Sequence, residues 1–353
     1  MNIIKQKILT EDEKYYSYPI KVLNEEDALF LDKSRTKGLI SFGKREINHP
    51  KFWRGEKFKL PQNEFTIQKY EDIKFKLKAQ ELPYNDEGDR VELCADWYPH
   101  VHELDKVFPL VNYGGGSWQH FVQDNLPILI FARDFLIENP DVCILCCNTP
   151  RDIREYFFNK LGIKNSVIEY PFRFYLNKVE YSVKCKELYN FECNVQTPVY
   201  WWNNFFYKDI SNYLWKNEQP TLRNNLIYLK RNQSLTRKFN DENNIIEVLY
   251  NYASSNDLNF IIFESENYTM KEKASIFRDA HTIIGTHGGA NYHIIFSPKG
   301  TKFIEYTFID TMHSLYNIAS SLEFNYYMVP NIGNNSTESI DVDINKLIEL
   351  LQL

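Results

Sequence analysis

Between residues 225 and 330 the sequence alternates short apolar runs with segments whose apolar residues recur at helical spacing. Five of the runs have the length and composition of buried strands: "LIYLK", "FIIF", "HTIIG", "KFIEY" and "YYMV". Strands that alternate with helices in this way are typical of a parallel sheet whose crossover helices cover its faces. The pattern therefore predicts a doubly wound α/β sheet, in which ligands bind beyond the carboxyl ends of the strands.

The helices between these runs carry their own local signals. Residues 241 to 253 place Ile245 and Leu249 on one helical face, which predicts an amphipathic helix over that span. Thr269 and Glu272 have the spacing of a capping box, so we expect the next helix to begin directly after Thr269.

A second alternation precedes this one along the chain. A helical pattern leads to the apolar run "DVCILCC", then to a helix bounded by Pro150 and Gly162, and then to the run "SVIEY". The aromatic segment 198–225 interrupts the alternation, and we place a domain boundary there. The expected division is an N-terminal domain at 1–205, a C-terminal domain at 206–340 and a terminal helix at 341–353, whose packing back on the N-terminal domain is left open.

The charge balance limits what the whole surface can bind. The 353 residues include 47 acidic and 41 basic side chains, a net charge of −6. A general nucleic-acid binder needs a dense cationic face, so no nucleic-acid partner is expected and any anionic ligand must be bound by a local cluster. Since no signal peptide pattern and no run of about eighteen apolar residues is present, we expect no membrane span and a cytoplasmic protein.

A glycine-rich turn follows the third strand of the alternation, in "IIGTHGGANYHIIFSPKG". Gly285, Gly288 and Gly289 would let backbone N–H groups approach an anion, and a helix that begins near Ala290 would add its positive end. Phosphate is the natural guest of such a turn. The spacing matches neither the dinucleotide fingerprint nor the P-loop, and a tight turn without a ligand is the alternative reading.

A cluster of positive charge follows the first strand of the same alternation. Lys230, Arg231, Arg237 and Lys238 fall within nine positions, in a chain that is acidic as a whole. If that strand belongs to the same parallel sheet, its end lies on the same side as the glycine turn. Two arginines there could clamp a diphosphate through bidentate bonds, whereas a solvated loop is the alternative.

The N-terminal domain contributes a histidine and a carboxylate at helical spacing. His120 and Asp124 lie four residues apart, just after a run of glycines, and so share one face of a helix. Such a pair could act as a general base with its orienting partner and activate a hydroxyl. An ordinary surface hydrogen bond remains the alternative.

Taken together, these three stretches resemble glycosyltransferase family 61. The first family motif, H-x-x-x-[DE]-x-L-P, is matched in "HFVQDNLP" by His120, Asp124, Leu126 and Pro127. The second motif is matched by Tyr228, Arg231, Arg237 and Glu242. The third is matched by Gly285, His287, Gly288, Phe296, Pro298, Gly300 and Glu305. The chain departs from the third motif at Gly289, Ala290, Tyr292 and His293, where the family usually has Ala-Gly and then Thr-Asn.

The resemblance implies a fold and a reaction. Family members are similar to GT-B enzymes, which consist of two facing Rossmann-like domains with a cleft between them. The implied activity is an inverting, metal-independent transfer of a sugar from a nucleoside diphosphate, here expected to be UDP-linked xylose or N-acetylglucosamine, to a hydroxyl of a glycan or glycoprotein. No cofactor is required, and the oligomeric state is left open.

The resemblance also implies roles for individual residues. Asp124 is expected to be the catalytic base, with His120 orienting it or taking the proton instead. The acceptor is expected near Gly115, Gly116, Ser117 and Trp118. The donor and its diphosphate are expected to bind Lys230, Arg231, Arg237, Gly285, His287, Gly288, Gly289, Ala290, Asn291 and Glu305. Among these, Glu305 is expected to accept hydrogen bonds from ribose hydroxyls.

Two other function classes compete with this interpretation. An α/β-hydrolase would explain "HGGA" as an oxyanion loop, but the nearest candidate for its nucleophile elbow, "GGSWQ", ends in Gln119 instead of glycine. A non-catalytic carbohydrate-binding protein would use a group of aromatic side chains for stacking: Trp201, Trp202, Phe205, Phe206 and Tyr207.

A metal-dependent transferase would use Asp341 and Asp343 to bind its metal ion. Helix capping explains these two residues better.

Overall fold

The computed structural model describes residues 2–8, 64–78, 101–110, 117–147, 149–170, 180–193, 207, 210–215, 222–231, 236–308, 315, 318–319, 322–331 and 339–353. These residues form two compact units, one that ends at Cys193 and a second that begins at Tyr207. The domain boundary expected at residues 205 and 206 falls between them, outside the described residues.

The first unit is built on a mixed sheet of six strands. The strands are β1 (Asn2–Ile8), β2 (Glu64–Lys78), β3 (Val101–Leu110), β4 (Cys143–Cys147), β5 (Val167–Tyr170) and β6 (Glu180–Cys193). Their order is β1-β2-β6-β3-β4-β5, in which β6, β3, β4 and β5 are parallel while β2 is antiparallel to both of its neighbours. The parallel part agrees with the predicted alternation, but the long antiparallel strands make this sheet different from a plain Rossmann-like one.

A long helix and a shorter one accompany this sheet. One α-helical turn (Trp118–His120) continues through a π-helical turn (Phe121–Asn125) into α1 (Leu126–Glu138). Helix α2 (Arg151–Leu161) starts after Pro150 and ends at Gly162, whose φ of 73° is the left-handed conformation that favours glycine at a helix end. Both boundaries of α2 confirm the sequence prediction.

The second unit is built on a parallel sheet of five strands. The strands are β7 (Asn225–Leu229), β8 (Asn259–Phe263), β9 (Ala280–Thr286), β10 (Lys302–Phe308) and β11 (Asn325–Asn331). All five coincide with the predicted runs, and every neighbouring pair is parallel. The order β11-β10-β9-β7-β8 places the first strand of the unit between the second and the third. In doubly wound sheets this reversal marks the switch point, where ligands bind.

The helices of the second unit mostly follow the sequence prediction. They are α3 (Ile210–Leu214), α4 (Glu242–Ser255), α5 (Met270–Arg278) and α6 (Ile344–Gln352), together with two 3-10 segments (Ser265–Asn267 and Gly289–Phe296). The capping box at the start of α5 is present, with Thr269 and Glu272 bonded to each other's backbone N–H. None of the helices in the described ranges is long and apolar enough to span a membrane.

The helix expected to begin near Ala290 is present, but it is a 3-10 helix over Gly289–Phe296 and not an α-helix. The imidazole of His293 donates to the carbonyl oxygen of Ala290 over 2.7 Å, and the amide of Asn291 bonds to the carbonyl of Gly288. The backbone bond from Asn291 to Gly288 spans three residues, which is the pattern of a 3-10 helix and not the four-residue pattern of an α-helix.

The terminal helix α6 packs within the second unit. Leu347, Leu350 and Leu351 are buried in one hydrophobic core with strand residues of the sheet and with the inner face of α4. The hydroxyl of Tyr252 donates to the carbonyl of Leu351 over 2.7 Å and ties the end of α6 to α4. At the other end, the carboxylate of Asp343 accepts from two backbone N–H groups, which confirms helix capping as its role.

Candidate functional site

The glycine turn and the basic cluster meet at the switch point of the second sheet. Strands β7 and β9 are neighbours, with Leu229 paired to Gly285, and both run in the same direction. Lys230 and Arg231 follow the end of β7, while His287 follows the end of β9. The two loops therefore leave the sheet side by side at its carboxyl edge, as the sequence predicted.

Arg231 lies directly against the glycine turn. Its Nη1 donates to the carbonyl oxygen of His287 over 2.9 Å. A Cβ atom added to Gly288 would stand 1.9 Å from that same Nη1. The φ angle of Gly288 is 172°, an extended conformation open to any residue, so glycine is required here by the close approach of the guanidinium.

The other two glycines of the turn differ from Gly288. A Cβ on Gly285 would lie 2.7 Å from the Cβ of Leu229, so this glycine lets β7 and β9 pack closely. A Cβ on Gly289 would meet no described atom within 4 Å. Gly289 is only half-buried, so a ligand can approach the backbone on this side of the turn.

The electrostatics of the basic cluster suit an anion. Burial, together with the charge of Arg237, lowers the pKa of the Arg231 guanidinium to about 10, which leaves it charged at neutral pH. Arg237 adopts the left-handed region with a φ of 58°, a conformation that costs about 1–3 kcal/mol for a non-glycine residue. Two like charges are thus held near each other in a partly desolvated position, where an anion would relieve their repulsion.

Lys230 has a local partner. Its Nζ lies 3.2 Å from a carboxylate oxygen of Glu264, the residue that follows β8. The same carboxylate also accepts from the side-chain amide of Asn267. The expected contribution of Lys230 to diphosphate binding is therefore offset in part by Glu264.

His287 and Glu305 form a buried pair on the other side of the turn. The Nδ1 atom of His287 lies 2.5 Å from one oxygen of Glu305, and the hydroxyl of Tyr326 donates to the other oxygen. This bond orients the imidazole so that Nε2 is the nitrogen that can meet a ligand. Only 2% of Glu305 is exposed and both of its oxygens are bonded within the unit, and its expected contact with ribose stays a prediction.

Tyr326 was not among the residues predicted for the site. In the register of β10 and β11, Tyr326 pairs with Phe303, which lies two positions before Glu305. Tyr326 and Glu305 therefore lie on the same face of the sheet. The sequence has no motif at "NYYMVPN" that would have singled it out. Only the order of the strands brings its hydroxyl to the carboxylate.

Two polar groups near the turn are buried without a hydrogen-bond partner among the described residues. They are the Nδ2 atom of Asn291 and the Oγ1 atom of Thr286. Buried polar atoms usually have a hydrogen-bond partner, so these two are exceptions. Asn291 is 1% exposed, and its assignment to the donor site stays a prediction.

His293 is a core residue. Its ring lies 5.4 Å from the rings of Phe263 and Phe277, and Nδ1 donates to the carbonyl of Ala290. Complete burial lowers the pKa of His293 to about 3, so the imidazole stays neutral. The departure from the family motif at this position is explained by packing.

The expected base and its partner belong to the first unit. His120 ends the turn Trp118–His120, and Asp124 lies in the π-helical turn, although its side chain is outside the described part of the structure. The hydroxyl of Ser117 caps this turn by accepting from the amide of His120 over 3.5 Å. Trp118 stacks on Phe157 of α2.

The remaining acceptor candidates, Gly115 and Gly116, fall outside the described residues. So do Trp201, Trp202, Phe205 and Phe206 of the aromatic group considered for sugar stacking. Tyr207, the last of that group, is fully buried, as expected for a packing residue.

Comparison with known proteins supports the interpretation drawn from the motifs. A search of curated proteins finds no match to the chain. The family model of glycosyltransferase 61 matches residues 118–304, more than half of the 353 residues. The matched range contains the helix of His120 and Asp124, the basic cluster at the end of β7 and the glycine turn after β9. The chain therefore belongs to glycosyltransferase family 61.

Proposed function

We propose that the protein is an inverting, metal-independent glycosyltransferase that moves a sugar from a UDP-sugar, such as UDP-xylose or UDP-N-acetylglucosamine, to a hydroxyl of a glycan or glycoprotein. Membership of family 61 supports glycosyl transfer in general. The observation that carries the proposal is the contact of Arg231 with the Gly288 turn at the switch point of the second sheet.

The two units would share the reaction in a GT-B arrangement. In this proposal the second unit binds the nucleotide sugar, and the first unit binds the acceptor and supplies the base. The doubly wound strand order of the second unit supports its assignment to the nucleotide. The position of His120 and Asp124 on the first unit supports the assignment of the base.

The departing diphosphate requires positive charge and hydrogen-bond donors. Arg231 and Arg237 supply the charge, and Nε2 of His287 supplies a donor when that nitrogen carries a proton. The first amides of the 3-10 helix at Gly289 and Ala290 lie at its amino end, where N–H groups have no partner within the helix. Such donors are worth about 2.7–4 kcal/mol each in comparable sites.

Transfer itself is one in-line displacement. The hydroxyl oxygen of the acceptor attacks the anomeric carbon on the side opposite the diphosphate, and its proton passes to Asp124, with His120 as the orienting partner. The bond between the anomeric carbon and the diphosphate oxygen breaks with its electron pair on oxygen. One bond forms as one breaks, so the configuration at the anomeric carbon is inverted.

Cofactor-free action is part of the proposal. The guanidinium groups of Arg231 and Arg237, in the basic cluster that follows β7, can take the place of the divalent cation that many transferases use against diphosphate charge. Transfer is therefore expected to continue under full chelation. Loss of activity that manganese restores would contradict this part of the account.

The proposal is tested by a thermal-shift screen of UDP-, GDP-, CMP- and dTDP-sugars followed by a transfer assay. A UDP-sugar is expected to raise the melting temperature, because a ligand that binds only the folded state stabilises it. Asp124→Asn is expected to lose about 10²–10⁴ in transfer rate while it keeps the shift. Sugar binding without transfer or donor hydrolysis would favour a carbohydrate-binding protein, and turnover of a simple ester would favour a hydrolase.

A further inference from the structure

Residues 238 to 241 connect the basic cluster to helix α4, and backbone hydrogen bonds to Ile340 hold this connection in place. The amide of Ile340 donates to the carbonyl of Lys238 over 2.7 Å, and the amide of Asn240 donates to the carbonyl of Ile340 over 3.0 Å. These bonds form an isolated parallel bridge between Phe239 and Ile340. The segment that precedes the terminal helix is thus paired with the residues directly after Arg237.

Side chains reinforce this bridge. The Nδ2 atom of Asn240 donates to a carboxylate oxygen of Asp341 over 2.6 Å. Phe239 is buried between the rings of Tyr228 and Tyr306, at centroid distances of 6.1 and 5.2 Å. Ile340 is fully buried in the same core. We call Ile340 and Asp341 the brace.

Arg237 needs such support. Its left-handed backbone conformation is unfavourable for an arginine, and its charge lies close enough to lower the pKa of Arg231. Both effects favour movement of Arg237 away from Arg231 when nothing holds the chain. The hydroxyl of Tyr228 donates to Glu242 over 2.7 Å and fixes the start of α4, but residues 238 to 240 are held by the brace.

We propose that the brace is a positioning element for the donor site, which holds Arg237 beside Arg231 without contact of its own with the donor. This inference rests on the proposed function, because it takes Arg237 to be a diphosphate ligand. It assigns to Ile340 and Asp341 a role in nucleotide affinity, in addition to the packing of the terminal segment against α4.

The test compares three single variants in calorimetric titrations with UDP. Asp341→Ala removes the acceptor of the Asn240 amide and is expected to weaken UDP binding by about three- to tenfold, the range expected for one hydrogen bond. Asp341→Asn keeps an oxygen at the same place and is expected to restore binding to near that of the unmodified protein. Tyr252→Phe is the matched control, since it removes one hydrogen bond from the other end of α6 and is expected to leave UDP binding unchanged.

A second set of measurements separates positioning from general loss of stability. In an Arg237→Ala background, Asp341→Ala is expected to cause no further loss of UDP affinity, because the group that it positions is gone. Amide hydrogen exchange at residues 236–240 is expected to become faster in Asp341→Ala and not in Tyr252→Phe.

The outcomes distinguish this inference from the proposed function. If Arg237→Ala weakens UDP binding while Asp341→Ala binds as the unmodified protein does, the brace has no positioning role and the proposed function stands. If Asp341→Ala and Tyr252→Phe weaken binding equally, the effect is one of stability and the inference is wrong. If the unmodified protein does not bind UDP, both the inference and the proposed function are wrong.

Discussion

Gly288 and Gly289 are adjacent glycines that meet different demands. Gly288 has the guanidinium of Arg231 where its Cβ would be, whereas Gly289 faces space free of described atoms. Neither has a φ in the left-handed region. The sequence shows only a glycine pair, and the distinction depends on a side chain 57 positions earlier.

Gly288→Ala tests the contact with Arg231. The added methyl group would displace the flexible end of Arg231 and break its bond to the carbonyl of His287, so the variant is expected to fold and to bind UDP about tenfold more weakly. Calorimetry on a double-mutant cycle with Arg231→Ala provides the control. In that background Gly288→Ala is expected to have little further effect, and an equal loss in both backgrounds would show that the glycine acts independently of Arg231.

His293 makes stability depend on pH in a predictable direction. Its pKa falls from 6.5 to about 3 on folding, so below pH 6.5 the unfolded chain binds a proton that the folded protein does not. Stability contributed by the neutral ring is therefore complete above pH 6.5 and is lost toward pH 3, with a slope of up to about 1.4 kcal/mol per pH unit.

His293→Gln removes this titration. Urea unfolding between pH 7.5 and pH 4 is expected to show a shallower loss of stability for the variant than for the unmodified protein. Comparison of the two proteins at pH 7.5 separates the cost of lost packing from the pH effect. Parallel curves over the whole range would contradict the assignment of His293 as a buried neutral residue.

Among the secondary-structure elements, the π-helical turn Phe121–Asn125 has a clear origin in the sequence. Pro127 has no N–H to donate to the carbonyl of Gln123, and its ring would collide with that carbonyl in a regular α-helix. The helix widens instead, and the amide of Leu126 bonds to the carbonyl of Phe121, five residues before it. His120 precedes this turn and Asp124 lies within it, and such turns are frequent at functional sites.

Pro127→Ala is expected to let this segment close into a regular α-helix and to rotate His120 relative to α1. Transfer should fall at least tenfold, because a misplaced base loses its alignment with the acceptor. UDP binding should be unchanged, since the nucleotide is assigned to the other unit. Steady-state rates and calorimetry on the same preparation check both, and full transfer activity would show that the π-helical turn is not needed for the reaction.

The sequence predicted those elements whose signals are local and missed those that depend on contacts between distant residues. Strands β7 to β11 were predicted because strands of a parallel sheet covered on both faces are continuous apolar runs. The antiparallel pairing of β2 with β6 was not predicted, since it joins residues as far apart as Phe65 and Cys193, 128 positions along the chain. The 3-10 form of the helix after Gly288 was also missed, because the three-residue backbone bond from Asn291 to Gly288 leaves no signal in the hydrophobic pattern.

The site shows the same limit. Arg231 and the glycine turn were predicted to meet because both follow strands of one parallel sheet. The contacts of Glu305 with His287 and Tyr326 were not predicted, since they depend on the order of three strands. The contacts of Asp341 with the chain beyond Arg237 likewise join residues 101 positions apart.

For the molecule as a whole, the proposed reaction is shared between two units. In this proposal the second unit would bind the donor at its switch point, and the first unit would supply the base. The division implies that nucleotide binding and proton transfer can be lost separately, because the residues responsible lie on different sheets. Variants of Asp124 are expected to affect rate, and variants of Arg231 are expected to affect affinity.

The most direct test is a calorimetric titration of UDP into the unmodified protein, Arg231→Ala and Arg223→Ala. Arg223 is a matched control, because it is an arginine of the same unit whose Nη1 bonds to the carbonyl of Lys299 near the amino ends of the strands. Arg231→Ala is expected to weaken UDP binding by about tenfold or more, the loss of one charge-assisted contact, while Arg223→Ala is expected to bind like the unmodified protein. Equal affinity in all three proteins would contradict the assignment of the Arg231 and Gly288 turn as the nucleotide site.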